Sequence, residues 1–382
     1  MHKRKILFCW IFLLAQTTCN LALAKTIKIA LVIPITGNYA GYGNQLLAGA
    51  SQAVKNINKL GGILGDELEV IPYDDKCQVS IANTISKKLA KDPKIHAIIG
   101  HVTSSTTLAA MDNYAKAGKL MITATATNPQ ITQKNIPTIF RISGRDDRQG
   151  IIIAKFITNE LQSKRIAILH DQDTYGQDLA DYVIEQLAAL DQHPVLYQGI
   201  PRGTKDLSKL INKFKELEID AIFFAALYPD VGNLAKAMHK EQLQIPLLTG
   251  DSIALNSFVI AAGGRHAATA IMMSFGKDAK NISKSLKIIE EMRKAHLETN
   301  GYTMYAYSAV QAIATTMQAT KSTNGQKLSE WLHHHTVDTV LGLKSWDTNG
   351  DIIDADYKMY IWNNYGKYQE ISGTISDDKN IL

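Results

Sequence analysis

The sequence predicts an α/β fold built from two doubly wound parallel sheets in tandem, and three observations carry that reading. Strand-length apolar runs alternate with helix-length amphipathic segments, the pattern of βαβ units covered on both faces. The alternation then restarts at Arg165, as though a second unit begins there. The chain of 382 residues also exceeds one typical domain.

Taken in order, Ile27–Ile33 (IKIALVI) reads as a buried strand. A helix follows over 44–60, with an apolar stripe at Leu47, Ala50, Val54 and Ile57. Strands at 68–73, 95–99 and 120–123 alternate with helices at 79–90 and 105–117. In the second half, strands at 165–169, 195–197, 221–224 and 246–248 surround helices at 176–190 and 207–217. No low-complexity segment or short repeat interrupts the pattern.

Open sheets of this kind receive ligands beyond the carboxyl ends of their strands. Two dense hydroxyl clusters fall there: Thr103-Ser104-Ser105-Thr106-Thr107 after one strand, and Thr123, Thr125 and Thr127 after the next. A helix cap needs one such hydroxyl, so the surplus reads as a polar surface. Thr36–Gly43, His170–Tyr175 and Gly250-Asp251-Ser252 share the same edge. Ser104 also precedes a helix, whose free amides attract anions, so a carboxylate is the natural guest.

The N-terminus bears on location. Lys3, Arg4 and Lys5 precede a short apolar run from Ile6 to Ala15, and Ala22-Leu23-Ala24 offers a small-x-small cleavage site. Residues 1–24 therefore read as a secretory signal peptide cleaved after Ala24, which implies an exported protein. Cys9 and Cys19 leave with it, so Cys77 is alone and no internal disulfide is expected. Loss of the three basic residues leaves 38 basic against 36 acidic side chains, a net charge of +2. That balance carries no basic stripe for nucleic acid.

The segments TIKIALVIPITG, GYGNQLLAGASQAVKNINKLGGILGDELEVIPYDD, IIGHVTSSTT, MITATATNPQITQ, RIAILHDQDTYGQDLA and LTGDS occur in that order along the chain. Together they resemble the periplasmic leucine/isoleucine/valine-binding proteins that feed ABC importers, along nearly the whole exported chain. The resemblance implies a type I periplasmic binding protein: two lobes, joined by three hinge segments, that close over one amino acid. Lobe 1 would take 25–145 and 275–354, and lobe 2 would take 146–274 and 355–382. It further implies a periplasmic monomer serving an inner-membrane permease, with no cofactor and no catalysis.

By position, the resemblance gives Ser104 to the ligand's α-carboxylate, with Thr125, Ala126 and Thr127 beside it. Tyr175 would close from the second lobe, and Asp251 would hold the α-ammonium. Tyr42 and Tyr302 would wall the side-chain pocket. Three departures stand out. Leu227 replaces a ligand-lining tyrosine, although Tyr228 follows; Asp251 is one methylene shorter than the usual glutamate; and Thr103 replaces a cysteine that would pair with Cys77.

Other chemistries fare worse. Gly41-x-Gly43 lacks the third glycine of a dinucleotide fingerprint, because Leu46 stands there. His333-His334-His335 occupies adjacent helical positions that point apart, so it reads as a solvated face and not a metal site. Asp347–Asp351 lacks the Gly and Glu of a calcium loop. No nucleophile elbow or Ser-His-acid set supports a hydrolase, and His101 and His170 read as satisfied strand-end histidines. An exported module that senses amino acids without transporting them remains the alternative to an importer receptor.

Overall fold

The structure, a computed structural model, describes residues 26–372, so the segment read as a signal peptide lies outside the described residues. The first half forms β1 (Thr26–Ile33), β2 (Glu67–Asp74), β3 (Ile95–Gly100), β4 (Leu120–Thr123) and β5 (Ile139–Arg141). They pair in the order β2-β1-β3-β4-β5, all parallel. The second half supplies β6 (Ile166–His170), β7 (Leu196–Gly199), β8 (Ala221–Ala225), β9 (Leu247–Thr249) and β10 (Met272–Gly276). Their parallel order, β7-β6-β8-β9-β10, repeats the first sheet's winding. Both sheets thus reverse direction beside their first strand, and the crevice expected of a doubly wound sheet falls between β1 and β3 and between β6 and β8.

Beyond β10 the pattern changes. A hairpin of β11 (Val337–Thr339) and β12 (Gly342–Lys344) stands apart, while β13 (Tyr357–Trp362) and β14 (Tyr368–Glu370) extend the second sheet in antiparallel fashion. The second sheet is therefore mixed at its edge, where only parallel strands were expected. An antiparallel edge needs no crossover helix, so the strand–helix rhythm cannot announce it.

The helices cover both faces. They include α1 (Ala40–Lys59), α2 (Val79–Lys91) and α3 (Ser104–Lys116), the short α4 (Gln130–Gln133), then α5 (Asp146–Lys155), α6 (Thr174–Ala188), α7 (Ser208–Glu216) and α8 (Tyr228–Lys240). Helix α1 starts four residues before its expected position and fully buries Leu46, Ala50 and Ala53, one position round from the predicted stripe. The reason is a second covering partner, the helix Thr303–Thr320, which packs along α1. At Gly49 a Cβ would lie 1.9 Å from the Thr303 carbonyl oxygen, so these helices meet at backbone contact. A glycine inside the helix thus serves close approach. Ile29, Leu31, Ile99, Ile168 and Phe223 are fully buried, and each such side chain contributes about 1.5–3 kcal/mol relative to exposure.

The chain passes between the two layered units three times, near 142–145, 277–282 and 353–356. Arg141 and Arg145, at the first passage, clamp Asp351, at the third: Arg141 Nε donates to Asp351 at 2.9 Å and Arg145 donates at 2.8 Å. Burial opposes ionisation of Asp351, but the two guanidiniums hold its carboxyl below the usual range. The 347–351 loop is thereby committed to structure. Among the described residues, no cluster of His, Cys, Asp or Glu is placed to hold a metal. His333 is not simply solvated, since its ring nitrogens lie 3.0 Å and 3.2 Å from the carbonyl oxygens of Pro137 and Asp347. Among those residues, too, no helix is long and apolar enough to cross a membrane. Cys77 is a buried free thiol, and burial raises its pKa well above the usual value, as befits an inert core residue.

Candidate functional site

Strand-end loops and helix starts from both units contribute to one cavity. From the first unit come Tyr42 in α1, Val102, Thr103 and Ser104 at the start of α3, and Thr125, Ala126 and Thr127 after β4. Tyr302, which precedes the helix Thr303–Thr320, joins them. The second unit faces these with Tyr175 in α6, Leu227 after β8, and Asp251 and Ser252 after β9. Nine of the ten residues expected at a site meet here; Tyr228 does not line it. As the first residue of α8, Tyr228 turns away from the cavity but stays buried, donates its hydroxyl to the Asn38 carbonyl at 2.5 Å, and sets its ring edge-on to Tyr42.

The two walls differ in chemistry. On the first, Thr103 caps α3 by accepting from the Thr106 amide, and no acidic residue occupies the first turn. The helix therefore presents the positive end of its dipole at Ser104. Thr125 spends its hydroxyl on the Val102 carbonyl at 2.7 Å, which leaves its backbone as the part that faces the cavity. Thr106 and Thr107 hydroxyls both return to the Thr103 carbonyl, as helix-start residues should. Ser105 does more: its hydroxyl donates across the gap to Asp173 at 2.8 Å.

The opposite wall centres on Asp251, a carboxylate only 4% exposed. Tyr175 donates to it at 3.0 Å, Gln149 at 3.1 Å, and Tyr302 reaches it from the first unit at 2.5 Å. Burial drives its pKa up to about 6, while those three donors pull the other way and keep it within reach of ionisation at neutral pH. Burial likewise raises the Tyr42, Tyr175 and Tyr302 hydroxyls well above their usual range, so they remain donors. At Gly250 a Cβ would come within 2.4 Å of the Tyr175 hydroxyl, so glycine is what lets this tyrosine reach the acid.

A donor-rich helix end opposite a buried acid, with Val102, Leu227 and aromatic rings between them, suits a molecule with an anionic group, a cationic group and an apolar body. The histidines near the edge are otherwise engaged. His101 lies 2.7 Å from Asp75 and 3.1 Å from Tyr114, fully buried, and His170 accepts from the Gln172 amide.

Comparison with known proteins identifies the scaffold. The sequence profile of periplasmic binding proteins matches residues 26–367. The chain belongs to that family. As a periplasmic binding protein, it is 36% identical over 350 residues to an amino acid binding protein of Pseudomonas aeruginosa, covering 92% of this chain and 93% of the relative. It is 33% identical to the Leu/Ile/Val-binding protein homolog 1 of Brucella suis, over 96% of this chain and 99% of that one. Its fold matches the branched-chain amino acid transporter substrate binding protein LivJ of Streptococcus pneumoniae, solved in complex with isoleucine. The TM-score is 0.83 at 26% identity, covering 90% of this chain and 98% of that chain. These relatives are substrate-binding proteins and not enzymes.

Sequence reasoning missed some participants. Val102 was not singled out, and Thr103 and Ser252 were placed on the ligand edge without a role; all three are immediate neighbours of expected residues. Gln149, behind Asp251, left no signal: it reaches the acid only because α5 docks against β10.

Proposed function

We propose that this protein is the periplasmic receptor of an ABC importer and captures an aliphatic L-α-amino acid, leucine, isoleucine or valine, between two lobes. The observation that carries the reading is one cavity with the Ser104 helix end on one wall and the buried Asp251 carboxylate on the other. The ligand's carboxylate pairs with the first and its ammonium with the second, while Leu227 and Tyr42 pack its side chain. Lobe 1 comprises 25–145 and 275–354, and lobe 2 comprises 146–274 and 355–382. Export follows a signal peptide cleaved after Ala24, and the loaded monomer docks on an inner-membrane permease.

The cavity measures about 30 Å³, room for only a few water-sized spheres. An amino acid therefore enters when the lobes part and is enclosed when they return, which is the hinge behaviour the three passages allow. The transporter and amino-acid names of the relatives support import over a purely signalling role.

A thermal-shift screen of the twenty amino acids tests the proposal. A ligand that binds only the folded protein, at a hundredfold excess over its Kd, should raise the melting temperature by on the order of 5 °C. Leucine, isoleucine or valine should give the largest rise. A shift from polar or acidic amino acids alone overturns the assignment.

A further inference from the structure

Behind Asp251 lies a buried polar layer, Asp146, Gln149 and Ser274, that does not line the cavity. Gln149 Nε2 donates to Asp146 Oδ1 at 2.9 Å and to Asp251 Oδ2 at 3.1 Å, while Ser274 donates to Gln149 Oε1 at 2.6 Å. All four side chains are buried, and Asp146, Gln149 and Ser274 are wholly so. The Asp251 carboxylate, which only accepts, calls for the amide's NH₂ on its side, and the Ser274 hydroxyl is free to donate to the amide oxygen on the other. Gly250 leaves the gap through which this contact is made, since a Cβ there would press on Gln149 Oε1 at 3.2 Å.

The second acid of the layer, Asp146, has an oxygen, Oδ2, cut off from solvent and without a well-formed hydrogen bond; the nearby Thr127 hydroxyl favours its anion but is outweighed by burial. An unpaired charge buried in this way is far costlier than a neutral acid. The N-terminus of α5 favours the anion, but that effect is the weaker one. Arg141, the nearby cation, is committed to Asp351 and to the Ala126 and Asn128 carbonyls. Burial first, and the charge of Asp251 second, raise the Asp146 pKa well above the carboxylate range.

We propose that Gln149 is a positioning residue for the ligand's ammonium site: locked by Ser274 and by a neutral Asp146, it aims Asp251 and holds it as the site's one anion. The inference rests on the amino-acid reading of the cavity. Other titratable groups face this pair from several elements. Tyr42 of α1, Tyr175 of α6 and Tyr302 lie on the cavity side, with Tyr305 and Tyr357 of β13 behind, and burial keeps all five neutral. Asp147, the neighbour of Asp146, is paired with Arg145 at 2.7 Å.

Proton and ammonium then compete for Asp251. Leucine affinity should be flat above neutrality and should fall about tenfold per pH unit below about 6. Removing a donor to the ionised form raises the acid's proton affinity. Gln149→Leu should therefore weaken leucine binding about tenfold at pH 7.5 and also move the midpoint of the pH profile upward. Ser274→Ala should move it the same way by less, and it serves where Gln149→Leu folds poorly. Asp146→Asn, which mimics a neutral acid, should keep affinity within about threefold and leave the midpoint in place.

Calorimetric titration with leucine from pH 5 to 8 reads all four proteins. An unmoved midpoint in both Gln149→Leu and Ser274→Ala, whatever the loss of affinity, overturns the positioning role. A midpoint displaced downward in Asp146→Asn overturns the neutral acid. Wild-type protein that binds no aliphatic amino acid overturns the receptor assignment instead, and this inference with it.

Discussion

Asp251 concentrates the chemistry of the cavity in a single residue. It receives three donors, two from its own unit and one, Tyr302, from the other, and a carboxylate has room for about four. An ammonium that takes the remaining position completes a desolvated pair. Removing one partner of such a pair costs about 2–5 kcal/mol, partly because the other charge is left unpaired. Asp251→Ala should weaken leucine binding by roughly 30-fold or more in calorimetry. Asp251→Glu keeps the charge and should bind more tightly than Asp251→Ala. Equal affinity in folded Asp251→Ala and wild type would remove the carboxylate from the site. At this scale Ser104, Thr127 and Asp251 were legible because each sits in a strand-end loop, where local sequence alone fixes the edge it occupies. Gln149, Asp146 and Ser274 were not, because α5 and β10 are joined only by tertiary packing. Tyr228 was legible as an aromatic, but its place on α8 sends it to Asn38 and Tyr42 beside the cavity and not into it.

The elements add contacts that cross the gap without needing a ligand. Asp173, at the start of α6, accepts from Ser105 of α3 and from Arg202, both at 2.8 Å; Arg202 also holds Asp171 and lies 5.8 Å over the Tyr39 ring. On the other flank, Asn128 donates to Asp178 at 2.6 Å. Such ties favour the closed arrangement by a fixed amount, and ligand adds its own share. Asp173→Ala removes the hydrogen bond from Ser105, about 1 kcal/mol, together with the Arg202 contact, and Asp173 does not line the cavity. The variant should show a larger radius of gyration in small-angle scattering without ligand, and an affinity about fivefold weaker. An unchanged scattering profile and affinity would deny the tie any part in closure. Only the second unit's approach gives the Ser105 hydroxyl its partner, so nothing local in the sequence announces this tie. The strand–helix alternation predicted four strands of each parallel sheet; β5 and β10 escaped it, and so did β13 and β14, whose antiparallel pairing needs no helix between neighbours.

Across the whole molecule, two sheets wound in the same order face one another with their carboxyl edges, and the Arg141–Asp351–Arg145 clamp ties together the first and third passages between them. That arrangement leaves one place where a helix end and a buried acid from opposite units confront each other. The central claim is that the two confronting groups recognise the two ends of one aliphatic amino acid. The most direct measurement is calorimetric titration at pH 7.5 with leucine, with its analogue lacking the amino group, and with its analogue lacking the carboxylate. The account predicts saturable 1:1 heat with leucine and losses of at least roughly 30-fold with each analogue, since each leaves a buried partner unpaired. Binding of the analogue without an amino group as tightly as leucine, or no heat with any aliphatic amino acid, would contradict it.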